Sequence, residues 1–108
     1  MWLFTESGFV SAVAHGQDSG FVVARSRDQR SLTGLAASSH VSIETTRQRD
    51  YPYRAHVSRG QFQTWVASVI DTMGYTNFKN RIHETRGDQF YESLSAVWEI
   101  MHDVTDCS

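Results

Sequence analysis

A chain of 108 residues, 40% hydrophobic and 20% charged with a net charge of −2, has the makeup of one folded domain and not of a disordered tail. Polar residues break every apolar stretch within a few positions, which argues against a membrane-spanning helix. The opening MWLFTESGF carries neither a basic segment nor an apolar run of signal-peptide length, so a cytoplasmic setting is expected.

In chain order, Trp2 to Thr5 and Phe9 to His15 are predicted strands joined by the turn Glu6-Ser7-Gly8. Phe9, Ser11 and Val13 share one face of the second strand; Val10, Ala12 and Ala14 share the other. Gly16 to Gly20 is a loop by composition, and Phe21 to Arg27 is a third strand. Connections this short impose an antiparallel meander, because a parallel return needs a longer crossover. Asp28 is placed to cap a helix over Gln29 to Ser38 with Leu32, Leu35 and Ala36 inward, and Gly34 weakens that helix. Val41, Ile43 and Thr45 then alternate with Ser42, Glu44 and Thr46 as a half-buried strand, and the polar stretch Arg47 to Asp50 forms a hairpin tip. The return strand runs from Tyr51 to Val57, with Tyr53, Ala55 and Val57 on one face and Arg54 and His56 on the other. Pro52 donates no backbone hydrogen bond and belongs at a strand start or an edge.

The strongest signal lies between Ser58 and Met73. Phe62, Trp65, Val66, Val69, Ile70 and Met73 fall on one helical face, Ser58 and Gln61 have the spacing of a capping box, and Gly74 can turn left-handed past the end. Beyond it, Thr76 or Asn77 can cap a short helix carrying Phe78 and Ile82, which Arg86-Gly87-Asp88 interrupts. Asp88 is placed to cap a last helix whose stripe holds Phe90, Leu94, Val97, Trp98 and Met101. The expected fold is α+β, a single domain over residues 1–108. Its antiparallel sheet of about five strands (a meander, a weak helix, then a hairpin) is covered on one face by the C-terminal helices. Trp2, Trp65 and Trp98 are expected in the core, with Trp98 outside it only in a homodimer.

No motif for a nucleophile elbow, a phosphate loop or a dinucleotide fold is present, so no catalytic or cofactor-binding residue is assigned. His83-Glu84-Thr85-Arg86-Gly87 lacks the second histidine of a zinc-binding helix. Glu99, His102 and Asp103 lie within one turn, but polar residues at a helix end commonly do, and no metal site is assigned. Cys107, the single cysteine, rules out an intrachain disulfide and fits a reducing compartment. What remains is an arginine-rich strand surface: Arg25, Arg27, Arg47, Arg49, Tyr51, Tyr53, Arg54 and His56. The first 60 residues hold seven arginines against five acids, the remainder three bases against seven acids. Tyrosine and arginine are the side chains that anchor protein interfaces. A non-catalytic interaction protein, acting on a host or cellular protein as a monomer or homodimer, is therefore the leading expectation. Nucleic-acid binding on the same arginines and tyrosines is the second, and a small enzyme using His83 and Asp88, or Glu99, His102 and Asp103, the third.

Trp2-Leu3-Phe4 with Gly8-Phe9-Val10-Ser11, Asp50-Tyr51-Pro52-Tyr53-Arg54 with Val57-Ser58, Tyr75-Thr76-Asn77-Phe78-Lys79, and Val97-Trp98 together resemble an uncharacterised family of short bacterial and phage proteins of about this length. The match runs nearly end to end in the same order. The resemblance implies a shared fold and a cytoplasmic setting, and no activity. Members usually carry a firmer, more charged helix where this chain has Gln29 to Ser38. The arginine bias adds an actinobacterial or actinophage source to what the resemblance suggests.

Overall fold

The computed structural model describes residues 1–47, 50–104 and 106. It divides into two compact units, Met1–Gly74 and Tyr75–Ser108.

The first unit is the α+β part. Its strands are β1 (Trp2–Thr5), β2 (Gly8–Ala14), β3 (Phe21–Ser26), β4 (Glu44–Thr45) and β5 (Tyr53–Ser58). They form one antiparallel sheet in the order β1-β2-β3-β5-β4. The meander is as expected, and the chain then crosses through helix α1 (Arg30–Ser39) to lay the β4–β5 hairpin against β3. Alternation sends Val10, Ala12, Val22, Ala24, Ala55 and Val57 to one face, where they meet Leu32 and Leu35 of α1 and Phe62 and Trp65 of α2 (Arg59–Asp71). Burying such side chains contributes about 1.5–3 kcal/mol for each of the large ones.

Local chemistry sets the helix ends. The capping box is formed at α2, where Ser58 Oγ accepts from the Gln61 N–H at 3.0 Å and Gln61 Oε1 accepts from the Ser58 N–H at 2.8 Å. At α1 the cap position falls on Gln29, not Asp28. Asp28 instead accepts the Ser31 hydroxyl at 2.5 Å, and Ser31 Oγ in turn accepts the Phe9 N–H at 3.1 Å. This relay ties the first turn of α1 to the start of β2. His40 closes α1 in the left-handed conformation (φ 55°), a role more often filled by glycine or asparagine.

Gly34, which the sequence reads as a weakness, has a packing reason. A Cβ there would lie 3.3 Å from Trp65 Nε1, so the missing side chain lets the indole lie against α1.

Several expectations are corrected. Gly74 does not turn left-handed; α2 stops at Asp71 with Thr72 as its cap, and Thr72 Oγ1 donates to the Ser68 carbonyl. Ile70 and Met73, placed on the inner face, are 59% and 49% exposed, because only the first three turns of α2 reach the core while its end runs past it. The strand expected over Val41 to Thr46 shrinks to Glu44–Thr45; Val41 and Ile43 pack against the core from irregular backbone. Trp2 is 70% exposed, since its place in β1 puts it on the sheet face opposite the core.

The second unit is α3 (Phe78–His102), capped by Asn77, whose side chain accepts from the Asn80 N–H. Gly87 (φ 83°, ψ −169°) breaks it where the sequence expects an interruption. His83 Nε2 and Asp88 Oδ1, 2.5 Å apart, link the two sides of that break. Ile82 and Leu94 are buried, but Val97, Trp98 and Met101 are exposed, so the stripe expected inside lies largely in solvent. Trp98, at 59%, carries Lys79 Nζ over its ring at 4.6 Å.

Candidate functional site

The face of the sheet opposite α1 and α2 brings together most of the residues singled out by composition. Pairing aligns Trp2 with Ser11, Ser11 with Arg25, Arg25 with Arg54, and Arg54 with Glu44. One rung therefore crosses all five strands and carries two arginines side by side at its centre. Like charges directly opposite on a sheet are destabilising, so each guanidinium must find company elsewhere. Arg25 does so twice: its Nη2 donates to Ser11 Oγ at 2.8 Å, and its guanidinium lies 4.6 Å from the centre of the Tyr51 ring. Arg27, just past the end of β3, approaches the same ring at 5.4 Å. Such contacts contribute about 0.5–1 kcal/mol each at exposed sites.

Beside the arginines runs an aromatic row. Phe4 and Phe9 stack with centroids 4.8 Å apart, Trp2 meets Phe9 edge-on at 5.8 Å, and Phe9 lies 6.4 Å from Tyr51. Toward the other end, His56 is paired with Val23, its ring is 5.7 Å from that of His15, and its Nε2 lies 3.4 Å from Glu44 Oε2. The face thus grades from an exposed tryptophan, through arginine and tyrosine, to a histidine–glutamate edge.

The sequence places Arg25, Arg27, Arg54, His56 and Tyr51 near one another, and all five are found on or beside this face. Tyr53 is not with them: it alternates with Ala55 and Val57 and packs against the core. Arg47 is exposed in the turn after β4, and Arg49 lies outside the described residues. Trp2, Phe4, Phe9 and Ser11 complete the surface and were not anticipated as part of it. Their signal is present in the alternation of Trp2 with Phe4 and of Phe9 with Ser11, one face of each strand.

The other candidates are less built. His83 and Asp88 do meet, with the His83 ring 4.7 Å from Tyr91, but their side chains are 49% and 86% exposed. Their geometry describes a clasp across the Gly87 break. Glu99, His102 and Asp103 do not converge; among the described residues no group of three or more histidine, cysteine or acidic side chains is arranged to hold a metal. The His102 ring packs 6.0 Å from Trp98 instead. No described helix is long and apolar enough to cross a membrane.

Comparison with known proteins finds no matching family model, no matching curated protein and no matching solved structure.

Proposed function

We propose that this is a non-catalytic interaction protein, of bacterial or phage origin, that engages a cellular protein through the open face of its sheet. The observation that carries this reading is the central rung, where Arg25 and Arg54 stand as neighbours and an exposed tryptophan, Trp2, ends the same rung beyond Ser11. Adjacent guanidinium groups offer two sets of donors to a partner's carboxylates. Trp2 supplies the large, exposed aromatic surface that dominates binding energy in protein interfaces. A photocrosslinker placed at Arg27 should trap one protein of defined mass in the native cytoplasm. Trp2→Ala and Arg25→Ala should each lower the affinity for that protein at least about tenfold. A folded protein that traps nothing, or trapping that both substitutions leave intact, would overturn the reading.

Nucleic-acid binding stands second, favoured by the same arginines sharing one sheet face with the exposed Trp2. Two features rank it lower. Tyr51 is already faced by Arg25, and Phe4 and Phe9 cover each other, so little of the row is open to a stacked base. The excess of two positive charges over the first 60 residues is also small for a phosphate track. Affinity for single-stranded oligonucleotides that falls steeply with salt, and that is lost in an Arg25/Arg47/Arg54 triple alanine variant, would reverse the ranking.

A further inference from the structure

The two edges of the sheet are built differently. One is β4, only Glu44 and Thr45, with a charged side chain in the strand and Arg47 just beyond it. Short length and charge are the usual guards of an edge. The other is β1, Trp2-Leu3-Phe4-Thr5, which has no charged side chain and no proline and, among the described residues, pairs only with β2.

The phase of β1 can be fixed. Its preceding residue, Met1, exchanges two backbone bonds with Ala12: the Met1 ammonium donates to the Ala12 carbonyl at 2.8 Å, and the Ala12 N–H donates to the Met1 carbonyl at 2.8 Å. Hydrogen-bonded and non-bonded pairs alternate along an antiparallel ladder. Leu3 with Val10 and Thr5 with Gly8 are therefore the bonded pairs, and Trp2 with Ser11 and Phe4 with Phe9 the non-bonded ones. It follows that the N–H and C=O groups of Trp2 and Phe4 point out of the sheet. The same two residues carry the aromatic side chains of the open face.

This edge complements itself. In an antiparallel pairing about a two-fold axis at Leu3, Trp2 stands opposite Phe4 of the second copy and Phe4 opposite its Trp2. Those are the residues whose outward groups are unused, so each pair exchanges two hydrogen bonds without a change of register. Leu3 meets Leu3 on the core side, and each exposed indole meets a phenyl ring on the open side. No charged side chain opposes another. A one-residue slip would set outward groups against inward ones, and a two-residue slip would keep one outward pair within the strand where this register keeps two.

We infer that β1 is a dimerisation edge, whose occupant is β1 of a second copy of this chain, joining two sheets into one. This does not rest on the reading of the open face: the Trp2 indole belongs to both surfaces, but the pairing is argued from the outward backbone groups of Trp2 and Phe4. The strand is short and the contact smaller than a standard interface, so association is weak and concentration-dependent.

Sedimentation of the full chain over a wide concentration range should show a monomer passing to a dimer. Amide exchange should show the Phe4 N–H slowing as the dimer forms, while the Leu3 N–H, already bonded to Val10, is protected at every concentration. Phe4→Pro removes the outward donor at a position where the ladder of the monomer does not use it. It should weaken self-association at least about tenfold more than Phe4→Ala, which keeps the donor. A chain that stays monomeric at high concentration, or one that dimerises with Phe4 exchanging freely, would overturn the inference. Equal effects of the two substitutions would do the same, since they would assign the contact to the side chain and not to the edge. The exchange measurement uses the unaltered chain, so it decides even where a variant folds poorly. Loss of the partner trapped from Arg27 with dimerisation intact would refute only the open-face reading.

Discussion

Individual residues show how far side-chain type alone predicts position. The three tryptophans look equivalent in composition, yet only Trp65 is buried, while Trp2 and Trp98 are 70% and 59% exposed. Trp65 earns its place by geometry: Phe62 is 5.8 Å away, and Gly34 leaves room for the indole. Trp65→Ala should therefore cost about 3–5 kcal/mol, because the α1–α2 contact cannot collapse fully into the space left. Chemical denaturation followed by circular dichroism would check it, and a midpoint unchanged from wild type would show the indole to be dispensable. Ser31 makes a similar point at smaller scale. Nothing in the sequence marks it as more than a helix serine, yet it is buried and relays the Phe9 N–H to Asp28. Such a role depends on β2 meeting the start of α1, which no local pattern encodes.

At the scale of elements, signals that are local chemistry were legible and signals that depend on distant partners were not. The Ser58–Gln61 capping box needs only residues three apart, and it forms as read. Ser58→Ala should remove one of its two bonds and destabilise the first unit by about 0.5–2 kcal/mol. This would be seen as a lower urea midpoint with an unchanged slope. The Gly87 break was equally legible, and the cap was read to one of two neighbours, Thr76 or Asn77, since each is set within a few residues. The far end of α2 was not. Ile70 and Met73 satisfy the helical period, but the period says which residues share a face and not how far the sheet beneath extends. The β4 strand fails for a related reason: Val41 and Ile43 reach the core without a partner strand, so alternation there marks burial and not pairing.

For the molecule as a whole, every residue of the main buried cluster lies within Met1–Gly74. The fragment 1–74 produced alone should thus give a cooperative thermal transition and the mixed α and β circular dichroism of a sheet with two helices. A fragment without a transition would show that this core is insufficient. The amino-acid sequence by itself determined the α+β class, the meander, the capped α2 and the break at Gly87, because alternation, helical period and capping act over a few residues. It also put Arg54 and His56 on the strand face away from Ala55 and Val57, since a period of two permits nothing else. Only the tertiary structure decided that β5 lies beside β3, which makes Arg25 and Arg54 neighbours and brings Tyr51 under two guanidinium groups. Strand order depends on which edges meet after the chain has crossed through α1, a contact between residues some thirty positions apart that leaves no trace in either segment.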